Sequence, residues 1–460
     1  MPLILPGNVA SALPTGFNVD NSCRFNDGDS AKMSKDLGTA TLNTKWTINV
    51  WVKLGQLGTN RAIWTARTGT SGAYVNCIFN TANQINIYGP DKDSGNDFDY
   101  KTNRVFRDCS AWYCLTFAMD TTLGTAGDRL RIYVNGVEET SFATETNPAQ
   151  NVIYPANYSG YTFVVGSRTD NSEYFDGYIS EFCMIDGQQL APTSFGEFDE
   201  DSPTIWKPID VSGLTFGNNG FYLDFEDSSN LGNDANSGTD LTETNLAAVD
   251  QATDTPTNNF ATLNPLVPSG GGFTPQSSSS LSEGNCFFET DNSSGNWGLA
   301  LSTIGLTAGK WYFEVKATDA GDAQIGALGT GSTGTSTYFG SMANSYGYYA
   351  ADGNSTTGGS GTSYGDSYTD NDIIGVYLDL DNNKIYWAKN GTVQNSGTGV
   401  SITAVSSGNL GAYFVGVGTW ASSGNGDFQC NFGGCPAFSI SSGNADANGY
   451  GNFEYDPSSG

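Results

Sequence analysis

Apolar and polar residues alternate along much of the chain with the two-residue period of a β-strand. Residues 46–52 are typical and place Trp46, Ile48, Val50 and Val52 on one face. Successive side chains of a strand point to opposite faces, so such a segment covers a core with one face only. Similar segments in the first half of the chain are 62–64, 74–79, 84–88, 112–118, 129–134, 163–165 and 175–185. Short strands separated by turn residues predict a sandwich or a jelly roll.

A hairpin is predicted at residues 372–391. Its first strand alternates, with Ile374, Val376, Leu378 and Leu380 on one face. An Asp-Asn-Asn turn follows, the second strand reads Lys-Ile-Tyr-Trp-Ala, and an Asn-Gly pair makes the next turn. Asn, Asp and Gly tolerate the backbone conformations that tight turns require.

The pattern and the length together predict an all-β chain with two sandwich domains. The 460 residues exceed the size of one typical domain, and the 59 glycines and 13% aromatic residues suit turns and pleated strands. The predicted parts are an extended arm at 1–20, a jelly roll with an appended strand at 21–226, a connector at 227–281, a second sandwich at 282–438 and a tail at 439–460. The connector is polar, and we assign no structure to the tail, which is rich in Gly, Ser and Asn.

Charge and composition exclude several kinds of function. The net charge of -29 disfavours nucleic acid and anionic membranes as partners, because binding to either needs a basic surface. The chain has no histidine, which removes Ser-His and Cys-His nucleophile pairs. It also has no run of about 18 apolar residues and no recognisable signal peptide, so we expect no membrane insertion and folding in a cytoplasm.

The eight cysteines lack the spacing of a metal-binding knuckle. Cys77, Cys114 and Cys183 lie within apolar strand patterns and are interpreted as small core residues. Two pairs could close short loops, Cys109 with Cys114 and Cys430 with Cys435, and the spacing leaves open whether disulfides form.

Three segments of the first half resemble the laminin-G-like, concanavalin A-type jelly roll. They are Thr-Ile-Asn-Val-Trp-Val at 47–52, Arg-Ile-Tyr-Val-Asn-Gly at 131–136 and Phe-Asp-Gly-Tyr-Ile-Ser-Glu-Phe at 175–182. The resemblance covers roughly residues 20–190, and we expect one more strand, at 221–226, to return to this sandwich. The resemblance implies a fold that hosts sugar binders, protein binders, calcium-bound adhesins and glycosidases alike.

The second half resembles the SPRY domain, a β-sandwich used for binding. Gly-Lys-Trp-Tyr-Phe-Glu-Val at 309–315 is similar to a hallmark of that family, and the hairpin and Cys-Asn-Phe-Gly at 430–433 follow in the family's order. The preceding segment 254–265 resembles one found in structural proteins of marine bacteriophages ahead of the same domain. Together these resemblances imply a virion protein of a tailed bacteriophage.

No catalytic or metal-binding residue is assigned. The acidic run at 197–201 differs from the E-x-D-x-x-E strand of sandwich glycosidases and is interpreted as a solvated loop. Asp379 and Asp381 mimic the start of an EF-hand loop, but the following Gly and the distant Glu are missing, so they are interpreted as turn residues. We expect no cofactor; a structural calcium ion is open but has no assigned ligands.

Tyrosines among small polar residues are the candidate binding groups, because the ring stacks while its hydroxyl and neighbours form hydrogen bonds. They flank or lie in two predicted loops, 89–104 and 153–173, and in the second domain. The alternative is that many are ordinary aromatic residues at strand ends. The candidates are Tyr88, Tyr100, Tyr154, Tyr158, Tyr161, Tyr346, Tyr348, Tyr349 and Tyr364.

The sequence therefore predicts a non-enzymatic virion protein, assembled in the host cytoplasm: a tail fibre, an appendage, or a fibre or decoration of the capsid surface. It would bind host-surface glycan or protein through its loops and would contact other virion proteins, favouring a homotrimer because fibre-like phage parts are symmetric. Two alternatives are a purely architectural decoration protein and a glycan depolymerase.

Alternation also predicts which side chains of the second domain are buried. Trp311 and Phe313 share a face with Val315, which makes that face the core and turns Glu314 towards solvent. By the same count Trp387 faces the core of the hairpin. We therefore expect Trp311, Phe313 and Trp387 to be buried packing residues and not ligand platforms.

Overall fold

The computed structural model shows an all-β protein. The described residues divide between Asn258 and Asn259 into two compact units, called here the first and the second unit. Besides strands they contain only short 3-10 helices, at Ala126–Asp128, Pro155–Asn157, Pro192–Ser194, Ala248–Asp250, Asn395–Gly397, Val405–Ser407 and Pro457–Ser459. The structure describes residues 16–69, 72–93, 95–266, 279–290, 297–330, 338–420 and 426–459. Most of the predicted arm at 1–20 lies outside these ranges.

The first unit is a sandwich of two eight-stranded sheets. Its strands are β1 Ser22–Phe25, β2 Lys32–Asp36, β3 Lys45–Leu54, β4 Arg61–Arg67, β5 Tyr74–Phe79, β6 Ile85–Pro90, β7 Asp97–Thr102, β8 Trp112–Asp120, β9 Leu130–Val134, β10 Val137–Glu138, β11 Phe142–Thr146, β12 Thr162–Val165, β13 Gly177–Asp186, β14 Gly196–Phe198, β15 Trp206–Pro208, β16 Phe221–Leu223, β17 Thr242–Thr244 and β18 Gln251–Ala252. Sheet I has the order β10-β9-β8-β3-β13-β1-β18, with β16 also paired to β13. Sheet II has the order β11-β7-β6-β5-β4-β12-β2-β17, and β14 pairs with β15.

Aromatic residues fill the space between sheets I and II. Trp64 packs edge-on against Trp46, with ring centroids 5.8 Å apart, and stacks on Phe163 at 5.5 Å. Ile48 and Val50 are also fully buried in this core. The alternation of residues 46–52 therefore predicted the inward face correctly.

The outer face of sheet I is covered by the chain that follows the sandwich. Phe195, Val211 and Phe216 form a second small core on Cys183 and Ile185 of β13. Strand β16 pairs with β13, as predicted for the appended strand. This sheet consequently offers no open central surface to a ligand.

The first unit extends further along the chain than the predicted boundary at residue 226. Strand β17 pairs with β2 and β18 pairs with β1, while Leu231 and Leu241 are buried in the main core. Residues 227–258 thus belong to the sandwich and not to a connector. Their few apolar residues are spaced too irregularly to reveal two-residue strand pairings in the sequence.

The second unit is also a sandwich of two sheets. Its strands are β19 Ser279–Ser282, β20 Phe287–Thr290, β21 Trp297–Leu301, β22 Lys310–Asp319, β23 Gln324–Leu328, β24 Ser345–Tyr349, β25 Asn354–Thr357, β26 Ser360–Ser363, β27 Ile373–Asp379, β28 Lys384–Lys389, β29 Thr392–Val393, β30 Val400–Ser401, β31 Phe414–Trp420 and β32 Asp427–Asn431. Sheet III has the order β19-β20-β32-β22-β27-β28-β29, with β30 also paired to β28. Sheet IV has the order β21-β31-β23-β24-β25-β26.

The predicted hairpin is strands β27 and β28, which pair with Val376 opposite Trp387. Phe313 and Trp387 are buried, as predicted. Trp311 is only half-buried at the beginning of β22, where its indole N–H donates to the carbonyl of Ala308 at 2.7 Å. It packs against the core as predicted, but the prediction that it is buried was wrong.

Glu314 departs most from its prediction. It points away from the core, as its position on the strand requires, but it is fully buried. Residues 452–455, from the tail to which the sequence assigned no structure, lie over it, and the backbone N–H groups of Glu454 and Tyr455 donate to its carboxylate. A segment distant along the chain can bury a face that alternation assigns to solvent.

All eight cysteines are buried. Cys109, Cys114 and Cys430 are thiols, so neither of the two short-loop disulfides forms. Burial raises the pKa of Cys114 to about 12. This agrees with the interpretation of Cys77 and Cys114 as core residues.

Candidate functional site

Six of the nine candidate tyrosines are buried packing residues, and this corrects their assignment as binding groups. In the second unit, Tyr348 stacks on Trp387 at 5.7 Å. In the first unit, part of the predicted loop 89–104 is strand β7, which turns Tyr100 inward. A ring without exposed surface cannot stack on a ligand. The six are Tyr100, Tyr154, Tyr161, Tyr346, Tyr348 and Tyr364.

The other three candidates are half-buried. Tyr158 packs edge-on against Tyr161 at 5.7 Å, and Tyr349 donates a hydrogen bond to Asp322. Tyr88 differs because it lies at the centre of sheet II, on the face directed away from the core. The structure therefore keeps Tyr88 as the candidate with the most suitable position.

The surroundings of Tyr88 define a site that we call the open face: Arg67, Tyr74, Asn76 and Tyr88 on the adjacent strands β4, β5 and β6. Arg67 lies opposite Tyr74, and Asn76 lies opposite Tyr88. The two tyrosine rings pack edge-to-face with centroids 6.0 Å apart, and the Arg67 guanidinium lies 5.8 Å from the Tyr74 ring centroid. Such contacts hold the rings in fixed orientations.

Asn76 is the most unusual residue of the open face. It is 3% exposed, and its side-chain Nδ2 has no hydrogen-bond partner among the described residues. Burial raises the pKa of Tyr88, and the neighbouring Asn76 amide partly opposes this, although the two groups are not in hydrogen-bonding geometry. At this degree of burial the amide lies beneath the open face and not within reach of a ligand.

A network of ion pairs borders the open face. Arg168 contacts Asp170 at 3.3 Å and Glu173 at 3.4 Å, and Arg67 also reaches Asp170 at 3.4 Å. Arg168 lowers and Glu173 raises the pKa of Tyr88, which places both charges close to its hydroxyl. The charges alternate, so this border is neutral overall. Each carboxylate is paired with an arginine, unlike the acid and nucleophile of a glycosidase.

Sequence reasoning missed most of this site. Arg67, Tyr74 and Asn76 were not among the candidates, because the prediction rested on tyrosines in or beside loops. The available signal was the strand pattern itself: Tyr74 and Asn76 alternate with Val75 and Cys77 on β5. A polar and aromatic outer face on a central strand, and not loop composition, indicates this kind of site.

The acidic run follows its prediction in part. Glu197 and Asp201 are exposed, but Glu197 lies in strand β14 and not in a loop. Asp379 accepts a hydrogen bond from the backbone N–H of Asn382 at 2.9 Å, as turn chemistry requires. Among the described residues no group of three or more His, Cys, Asp or Glu side chains is placed to hold a metal ion. Within the same residues no helix is long and apolar enough to cross a membrane.

A buried carboxyl group lies elsewhere in the first unit. Glu181 occupies a bulge in β13, where its backbone has a φ of 49°, and its Oε2 accepts a hydrogen bond from Tyr222 at 2.7 Å. Burial raises the pKa of Glu181 from 4.5 to about 8. Its role is structural, because it lies under the segment that covers sheet I.

This pKa predicts a pH dependence of stability. Between pH 4.5 and about 8 the folded state holds a proton on Glu181 that the unfolded state has released, so the free energy of unfolding falls as the pH rises through this window. We expect Glu181→Gln, which stays neutral, to melt at a higher temperature than the wild-type chain at pH 8 and to show a flatter pH profile. Calorimetry from pH 5 to 8.5, with the exposed Glu200→Gln as control, measures this; equal profiles for all three chains would contradict it.

Two β-sandwiches, one with an open polar and aromatic sheet face, place the chain among multidomain all-β binding proteins. It carries a concanavalin A-like domain followed by a SPRY domain. Residues 26–188 match the concanavalin A-like lectin/glucanases superfamily and residues 310–434 match the SPRY domain.

Curated relatives match a shorter segment of this chain. Ran-binding protein 9 of Danio rerio and of Homo sapiens are each 35% identical to this chain over 95 residues, which is 20% of this chain. The matched residues make up 16% and 13% of those two proteins, so the chain spans only a small part of their length.

Solved structures are similar to each half. The match to a human SPRY domain covers 31% of this chain and 90% of the solved chain, with 20% sequence identity and a TM-score of 0.26. The match to a putative carbohydrate binding protein from Bacteroides ovatus covers 50% of this chain and 59% of the solved chain, with 15% sequence identity and a TM-score of 0.35.

Proposed function

We propose that the protein is a non-enzymatic binding protein that holds a glycan on the open face of its first unit. In this proposal the partly exposed rings of Tyr74 and Tyr88 stack on sugar faces. The observation that carries the proposal is the edge-to-face pair of Tyr74 and Tyr88 on the outer face of sheet II, with the Arg67 guanidinium beside the Tyr74 ring. An apolar surface with one fixed polar group is the usual composition of a small-ligand site.

Charge indicates which glycans fit. The border formed by Arg67, Arg168, Asp170 and Glu173 pairs two positive with two negative side chains. The whole chain carries a net charge of -29, which repels polyanions over long range. We therefore propose neutral sugars as the ligand class.

Tyr88→Ala is expected to weaken glycan binding by about tenfold or more, because it removes one stacking surface and loosens the other ring. Tyr88→Phe keeps the ring and is expected to bind within a few-fold of wild type. Binding is measured on a glycan array and then by calorimetric titration with the best neutral hit.

Tyr158→Ala is the matched control, because Tyr158 is also a half-buried tyrosine of the first unit but lies outside the open face. Melting curves show whether each variant is folded. If Tyr88→Ala and Tyr158→Ala reduced binding equally, or if the ligand were bound equally well by all variants, the open face would not be the site.

We also propose that the chain is a component of the particle of a tailed bacteriophage. It would be a trimeric tail fibre, an appendage or a capsid decoration that contacts host-surface glycan. The support is the resemblance of residues 254–265 to structural proteins of marine bacteriophages. The architectural alternative predicts no glycan binding, and the depolymerase alternative predicts new reducing ends from bound glycan. Antibody labelling of purified particles in electron micrographs tests the location.

A further inference from the structure

A groove on the outer face of sheet III is covered by residues 452–456, which lie at one end of the chain's own segment 444–456. Strands β22, β27 and β32 form its floor, with Tyr312, Glu314, Tyr377 and Asn431 directed away from the core. The covering segment is not a strand of the sheet. It is closed into a loop by the paired bridge between Asn444 and Phe453 and contacts the groove mainly through residues 452–456.

The buried carboxylate of Glu314 binds the backbone of this segment. Its Oε2 accepts the N–H of Glu454 at 2.9 Å, and its Oε1 accepts the N–H of Tyr455 at 2.8 Å. Tyr312 and Asn431 donate to the same carboxylate. Burial raises the pKa of Glu314, and the two backbone N–H groups are the strongest opposing influence. Charge-assisted hydrogen bonds of this kind are strong and directional.

The groove also contacts the backbone of Asn452 and the side chain of Phe453. The amide of Asn431 donates to the carbonyl of Asn452 at 2.8 Å, while the backbone N–H of Asn452 donates to Gly433 at 3.0 Å. Phe453 is buried against Tyr312, with ring centroids 5.1 Å apart. Gly433 has a φ of 105° and leaves space for this ring, since an added Cβ would lie 2.9 Å from it.

We propose that this groove is a peptide-recognition site for the motif Asn-Phe-Glu-Tyr, which residues 452–455 occupy in the same chain and which a second copy of the chain can also supply. The contacts described are the ones that recognise an extended peptide: a carboxylate for two N–H groups, an amide for a carbonyl and a pocket for one aromatic ring. None of them depends on covalent connection to the groove. Exchange of such a segment between copies is a low-cost route to association.

The test is a titration of a fluorescent peptide of residues 441–459 against the full chain. In the wild-type chain the attached segment competes at an effective concentration of about millimolar, so the peptide binds weakly. Phe453→Ala in the protein loosens the attached segment, and we expect it to bind the wild-type peptide at least about tenfold more tightly than the wild-type chain does. Adding Glu314→Gln to that chain should weaken binding about tenfold again.

Two variant peptides distinguish sequence-specific recognition from non-specific adhesion. A peptide with Phe453→Ala is expected to lose binding, whereas one with Asn448→Ala, at an exposed position of the loop, is expected to keep it. Equal binding of both peptides, or no binding to a folded Phe453→Ala chain, would overturn the proposal. If that variant does not fold, a chain ending at residue 440 takes its place. Failure of both chains to fold would also overturn the proposal, because the segment would then be an integral part of the domain.

Discussion

Replacing Trp387 with alanine is expected to destabilise the second unit by about 3–5 kcal/mol, the range for removal of a large buried aromatic side chain. Trp387 is fully buried, and its indole N–H donates to the carbonyl of Ile325 at 3.0 Å. Its ring stacks on Tyr348 and meets the edge of Tyr364 with centroids 5.3 Å apart. Alanine leaves a cavity between the sheets and removes the indole hydrogen bond to this carbonyl. This loss is a large part of the stability of a typical domain.

Scanning calorimetry of the full chain measures this effect. The transition of the second unit should move to a lower temperature, while that of the first unit should stay in place because its core is separate. Trp311→Ala is the matched control: the same change at a half-exposed tryptophan of the same unit should cost much less. A loss of ligand binding with unchanged melting would instead make Trp387 an exposed binding group.

Replacing Asp186 with alanine is expected to cost the first unit at least about 3 kcal/mol, because four donors, two of them buried, lose their acceptor at once. Asp186 ends β13 and is almost completely buried. Its carboxylate joins three separate parts of the chain. The donors are the backbone N–H groups of Thr41, Leu42 and Asn219 and the side-chain amide of Asn157.

Denaturant titrations of three variants test this role. Asp186→Asn, which keeps the shape but gives up half of the acceptor capacity, should fall between wild type and Asp186→Ala. Asp201→Ala, at an exposed position of the acidic run, should leave the midpoint unchanged. A midpoint for Asp186→Ala close to that of Asp201→Ala would mean that water replaces the carboxylate without loss.

The strands were predictable where large apolar side chains alternate along a long strand. Ile48 and Val50 on β3, and Val376 and Trp387 in the hairpin, show this two-residue period and lie in the cores, although the polar residues between Ile48 and Val50 and beside them on β3 are buried as well. The fold class follows from this local pattern, because it does not depend on which strands later become neighbours.

Features that depend on distant neighbours were not predictable in the same way. Alternation placed Glu314 on the outer face correctly but could not reveal that residues 452–455 would cover it. The open face likewise exists because the register of β4, β5 and β6 brings Arg67, Tyr74 and Tyr88 together. A single sequence shows which residues leave the core, but not what they meet outside it.

The reactivity of the buried cysteines can report how often each unit opens. A thiol whose pKa burial raises, such as Cys183 in the first unit or Cys430 in the second, does not react with an alkylating reagent until the surrounding strands separate. The rate at which each sulfur is modified therefore reports how often its own neighbourhood opens, on a timescale of minutes to hours. Because both units contain such residues, mass spectrometry can time the opening of each sandwich separately in one unmodified sample.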